Sequence, residues 1–156
     1  MLPPTLNALL SLATADGVPA EIRDNALFLR ASPLPSPLIV RLRPEHGVID
    51  LLQALPLTAP PDRVGAVAMA LALLNHALVL PGLGMHPGSG TLYVRLAAPL
   101  LPGRDLDPEV IRASARAATA LAAELTPALA RVCQGAPPES VVGDASVDLA
   151  LGTRGG

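Results

Sequence analysis

Lysine is absent: all 11 basic residues are arginine, so Schiff-base chemistry and the lysine of a phosphate-binding loop are excluded. Tryptophan is absent too, and Phe28 and Tyr93 are the only aromatic residues. With a formal net charge of −2, the chain offers neither the basic stripe nor the stacking rings of a nucleic-acid groove, and no direct nucleic-acid binding is expected. Cys133 is single; no intrachain disulfide or cysteine zinc cluster can form, and a reducing cytoplasm is the expected location. No basic residue precedes the short apolar run 6–13, which itself holds Asn7 and Ser11, so a helix is expected there and not a secretion signal. Charge is scarce at 15% against 51% hydrophobic residues, which describes a chain that buries a core and not a disordered one. At 156 residues one domain is the default, burying about 70% of its unfolded surface.

What is present reads as short elements separated by turn chemistry. Thr5 opens a first helix that runs to Asp16 and stops at Gly17, with Leu6, Leu9, Leu10 and Ala13 on one face. Three extended runs follow: 26–31 after Asp24-Asn25, 38–43 after Pro35-Ser36-Pro37, and 48–55 after Glu45-His46-Gly47. In the second of these, Leu38, Val40 and Leu42 alternate with Ile39, Arg41 and Arg43, giving one apolar face and one that becomes charged. The third is read as a strand, with the start of a helix as the alternative.

Between residues 64 and 94 there is no Asp, Glu, Arg or Lys. A second helix is expected from Asp62, as N-cap, to Leu80, where Pro81, Gly82 and Gly84 end it. Residues 64–85 as one continuous helix would be long enough to span a bilayer; Asn75, His76 and the break after Leu80 argue instead for a buried core helix and no membrane span. Val64, Val67, Ala68, Leu71, Leu74 and Leu78 line one side, and Met69, Leu73, Ala77 and Leu80 the other. A helix apolar nearly all round must be covered on more than one side. A homodimer burying Met69, Leu73 and Leu80 is therefore expected. Gly88-Ser89-Gly90 joins a hairpin, and Asp107-Pro108-Glu109 starts a third helix to Cys133, in which Pro127 is expected to produce a bend. Ile111, Ala115, Ala118, Ala122, Leu125, Leu129 and Val132 form its seam. The fold class is α+β, an antiparallel sheet with helices in the order α-β-β-β-α-β-β-α. One domain is expected over 1–133, with a Pro/Gly-rich, loosely ordered tail over 134–156.

That order resembles the type III secretion chaperone fold and the YbjN-like proteins that share it. The specific echo is Leu73-Leu74-Asn75-His76-Ala77-Leu78-Val79-Leu80, then a Gly-containing hairpin with Tyr93-Val94-Arg95-Leu96-Ala97-Ala98-Pro99-Leu100, then the Asp-opened last helix with Glu124-Leu125-Thr126-Pro127-Ala128-Leu129. The resemblance covers about 6–132. It implies a small dimeric bacterial protein that binds another polypeptide, with no catalytic residue and no cofactor to carry over.

Other constellations have simpler readings. Gly82-Leu83-Gly84 follows a helix instead of opening one, so the dinucleotide-binding context is missing. His76 and His86 would need a third ligand to hold zinc. His86 with Ser89 is the nucleus of a rival reading, a small hydrolase, although no nucleophile elbow surrounds Ser89. Asp105, Asp107 and Glu109 have cation-loop spacing but are explained by helix capping. Arg112 and Arg116 lie one turn apart and could grip a partner's carboxylates or form a solvated face. A client polypeptide is expected along the sheet edge near 26–31, with Arg30, Arg41, Leu6, Leu9 and Leu10 as partner-binding residues; for the three leucines simple core packing is the alternative.

Overall fold

Asp24 and Asn25 both take left-handed backbone (φ 49° and 59°), a conformation these two residue types tolerate and one that makes a tight two-residue hairpin turn. A computed structural model of the chain, which describes residues 4–30, 34–78, 82–101 and 107–144, places a strand on each side of that turn. The first helix, α1 (Pro4–Ala15), therefore leads into β1 (Ala20–Arg23) and β2 (Ala26–Leu29), followed by β3 (Leu38–Arg43) and β4 (Val48–Thr58). Next come α2 (Val64–Ala77), the hairpin β5 (Gly82–Met85) and β6 (Thr91–Pro99), and α3 (Pro108–Cys133). The class is α+β as expected, but four strands precede α2 where three were expected. The added strand is β1, whose Ala-Glu-Ile-Arg alternates between half-buried and exposed over only 4 residues.

The strands form one six-stranded antiparallel sheet in the order β1-β2-β3-β4-β6-β5. The edge expected near 26–31 is thus interior: β2 pairs with both β1 and β3, and the free edges belong to β1 and β5. The third extended run is a strand and not a helix. It continues to Thr58 through Pro56, beyond its pairing with β3 and across an irregularity in its register with β6, where a missing N–H disturbs no ladder.

Burial parity shows where the layers lie. Leu27, Leu38, Val40, Ile49, Leu51, Leu55, Leu83, Leu92 and Val94 point to one side of the sheet and share a single core with buried residues of all three helices. Leu6 and Leu9 of α1 enter this core completely, as does the whole seam from Ile111 to Val132 in α3. Asp107 accepts from the backbone of Glu109 and caps α3, which runs through Pro127 without interruption. The expected Asp62 cap does not form: residues 61–63 make a turn and Arg63 occupies the cap position without a side-chain bond to the helix start. Arg63 instead reaches the other end of α3, donating to Val132 O and Ala136 O. The segment expected to be loosely ordered begins with packed structure, because Pro138–Val141 forms a 3-10 turn that buries Val141.

Two side-chain amides, buried Gln53 and exposed Asn75, tie these elements together. Gln53 donates to Ser36 O and Ala54 O and accepts from Thr119 Oγ1, tying β4 to α3. Asn75, near the end of α2, grips Leu83 of β5 from outside the sheet: its Nδ2 donates to Leu83 O at 2.9 Å and its Oδ1 accepts from Leu83 N at 2.7 Å.

Candidate functional site

With all three helices on one face, the other face of the sheet is uncovered among the described residues. Register fixes what it displays. One row across the strands reads Glu21, Phe28, Ile39, Leu52, Arg95 and Gly82; the next reads Arg23, Ala26, Arg41, Asp50 and Ala97. A third holds Ala54, Tyr93 and Gly84. Phe28, Ile39, Leu52, Ala54 and Tyr93 are each half-buried. The Tyr93 ring lies over Gly84, where an added Cβ would come within 2.5 Å of the ring, so only glycine allows that placement.

Asp50 is the charged centre of this face. Its side chain is 7% exposed. Oδ1 accepts from Arg95 Nε at 3.0 Å and Nη2 at 2.8 Å. Arg43 Nε stands 2.6 Å from Oδ2, but its N–H does not aim at the oxygen: the contact is an ion pair, and that buried N–H has no hydrogen-bond acceptor. Arg41 lies opposite Asp50 in the β3–β4 register, is exposed, and takes part in no ion pair among the described residues. At the far corner Arg23 pairs with Glu21 and stacks 4.7 Å above the Phe28 ring. Arg43, Asp50, Leu52, Ala54, Tyr93 and Arg95 line a groove together with His86 and Ser89 of the β5–β6 turn and Thr91 at the start of β6.

The His86–Ser89 pair is close, with Ser89 Oγ 3.2 Å from His86 Nδ1. That nitrogen also accepts from the backbone N–H of Gly88 and of Ser89, so its lone pair is engaged in shaping the turn. No carboxylate orients the other side of the ring among the described contacts, and a catalytic triad needs one. No three His, Cys, Asp or Glu side chains lie together as a metal site among the described residues.

The profile of YbjN, described as a "putative bacterial sensory transduction regulator", matches residues 5–131. The chain belongs to the YbjN family. That description is of a regulator and not of an enzyme. No curated protein and no solved structure matches the chain. The YbjN match covers all six strands and ends two residues before the end of α3.

Within this YbjN domain the sequence-expected residues fall in different places. Arg41 is on the open face, and Arg30, one residue past β2 and exposed, keeps the parity of Phe28. Leu6 and Leu9 are buried at 0% and 4% exposure and form no surface for a client, and Leu10 is half-buried against the same core. Met69 is 52% exposed on the outer side of α2, Leu73 is half-buried, and Leu80 lies outside the described residues. Ala68, expected on the side of Val67 and Leu71, is exposed beside Met69. No helix among the described residues is long and apolar enough to cross a membrane; α2 has only 14 residues, which removes the 64–85 span. Arg112 and Arg116 grip Asp16 of this chain at 3.0 and 3.2 Å, and all three line a cavity of about 70 Å³ between α1, α3 and the sheet, too small for a ligand that needs about 300 Å³ or more. Asp105 lies outside the described residues. Sequence reasoning missed Asp50, Arg43 and Arg95 as a cluster; the alternation that set Arg41 and Arg43 on one face was the available signal.

Proposed function

We propose that the protein is a non-enzymatic, chaperone-like adaptor of bacterial regulation that binds a partner polypeptide on the open face of its sheet. The observation that carries this reading is the uncovered row Phe28, Ile39, Leu52 with Ala54 and Tyr93, half-buried apolar side chains framed by arginines. Interfaces combine such an apolar centre with a charged rim and enrich arginine and aromatic residues. The resemblance to secretion chaperones, which hold clients without chemistry, points the same way, and a free Cys133 suits a reducing cytoplasm. The test is co-purification from the native bacterium with wild-type and Leu52→Asp baits. A partner held by the wild type and lost by a variant with an unchanged melt supports the reading; a partner held equally by both removes the open face from it.

The adaptor is a homodimer in this reading, joined through the outer side of α2. Val64 and Met69 are 39% and 52% exposed there, next to exposed Ala68 and half-buried Leu73, and no charged residue interrupts the helix. Light scattering is expected to give about twice the chain mass of 15.9 kDa, and Met69→Glu to lower it. A wild-type monomer at micromolar concentration refutes the dimer.

A further inference from the structure

We infer that the polypeptide segment received by the open face is acidic, seating a carboxylate between Arg41 and the Arg43–Asp50–Arg95 cluster and an adjacent apolar side chain on Leu52, Ala54 and Tyr93. The inference rests on the open face being the binding surface and specifies its occupant.

Two guanidinium groups, of Arg43 and Arg95, converge on the one carboxylate the protein supplies, and a third arginine, Arg41, stands opposite it in the strand register. Asp50 Oδ1 is taken by two donors from Arg95, and Oδ2 has Arg43 against it. Neither oxygen reaches Arg41, although the register places its Cα directly opposite. A second carboxylate on this spot would meet Arg41 and the outward N–H groups of its neighbours, in the charge-assisted geometry that suits arginine.

The distribution of charge over the molecule selects the same partner. The open face carries Arg23, Arg30, Arg41, Arg43 and Arg95 against Glu21 and Asp50, with Asp24 and Glu45 in the turns that join its strands. The helical side carries Asp16, Asp62, Asp107, Glu109, Glu124, Glu139 and Asp144, while its arginines 112, 116 and 131 are already paired to carboxylates and Arg63 to backbone carbonyls. An acidic segment is thus attracted to one face of a chain that is negative as a whole and repelled by the other, which steers encounter as well as holding the complex. The groove floor, half-buried Leu52, Ala54 and Tyr93, favours a segment in which acids alternate with apolar residues, the pattern of an extended chain whose neighbours point to opposite sides.

The test uses the full chain and fluorescein-labelled peptides made of three Asp-Leu-Glu-Val repeats, their Asn-Leu-Gln-Val counterpart, and a single-stranded oligonucleotide, followed by polarisation. The acidic peptide is expected to bind about tenfold tighter than the neutral one and to weaken several-fold between about 50 and 200 mM NaCl. Arg41→Gln is the decisive variant, because Arg41 holds no ion pair among the described residues and its melt is expected to match wild type; it is expected to weaken the acidic peptide about fivefold or more and the neutral peptide hardly at all. Equal affinity for both peptides, or an acidic peptide indifferent to Arg41→Gln, overturns the acidic occupant; if Leu52→Asp still abolishes that binding, the open face survives as the site. Preference for the oligonucleotide over both peptides also overturns the inference. Absence of binding by every peptide overturns the inference and the open-face reading together.

Discussion

The residue that most constrains the interior is Gln53, 1% exposed and bonded through both ends of its amide. Thr119→Val keeps the shape of its partner but leaves Gln53 Oε1 buried without a donor, and is expected to cost about 1–3 kcal/mol in denaturant unfolding. Adding Gln53→Leu should recover part of that loss, since it removes the unanswered Oε1, although Ser36 O and Ala54 O then lose their amide donor; additive losses would show the pair to be uncoupled. Cys133 gives a second residue-scale expectation. Burial pushes its thiol above the ordinary value, against the opposing pull of the Arg63 guanidinium and a backbone hydrogen bond. The neutral thiol is the form the fold favours, so this contribution to stability is present below the unfolded thiol's pKa and is lost as pH rises through the folded one. Alkylation of Cys133 in the native protein is therefore expected to be slower near neutral pH than in the urea-unfolded chain, and to accelerate at a higher pH. Equal rates would contradict it.

At the scale of elements, Asn75 does for β5 what a neighbouring strand would do. It satisfies both the N–H and the C=O of Leu83 from the edge side, where an open edge invites pairing with another chain. Asn75→Ala is expected to destabilise by about 1–3 kcal/mol and to increase association in light scattering of a heated sample, whereas an unchanged aggregation onset would show that the edge was harmless already. Asn75 was visible in the sequence as part of a pattern, but its task was not, because the strand it serves lies 8 residues onward and only the chain reversal brings them together. Other elements were legible to the extent that their signals were local. Asp107-Pro108-Glu109 and a seam in steps of three and four identified α3 before any coordinate. By contrast β1 is too short to display an alternation, and β4 carries an apolar run whose period fits either a strand or a helix. Asp62 looked like a cap, yet the turn before α2 leaves the cap position to Arg63, and nothing in the composition distinguishes the two placements.

On the scale of the whole molecule, the candidate site is a product of register. Arg23, Arg41, Arg43, Asp50 and Arg95 come from four strands of six, and the pairing of Arg41 with Asp50 and of Asp50 with Ala97 aligns them. Reading along the chain shows isolated arginines; only the strand order and the single-sided helix layer turn them into one surface. If that surface is the one a partner covers, charge reversal should act on binding without acting on stability. Arg41→Glu is expected to leave the thermal melt within about 0.5 kcal/mol of wild type while weakening capture of the partner, and a variant that melts early would place Arg41 in the structure and not at the interface.

Tyr93 lies across Gly84 at the groove floor, and the chain has no tryptophan and no other tyrosine. Excitation of the native protein in the near ultraviolet is therefore answered by one ring, at one position, on the surface in question. Whatever settles into the groove changes the surroundings of that ring, and emission intensity and anisotropy will follow the event without any label. A tryptophan-free ligand titrated into the unmodified chain should yield a saturable signal that Tyr93→Phe abolishes, and a ligand bound elsewhere should leave the emission flat.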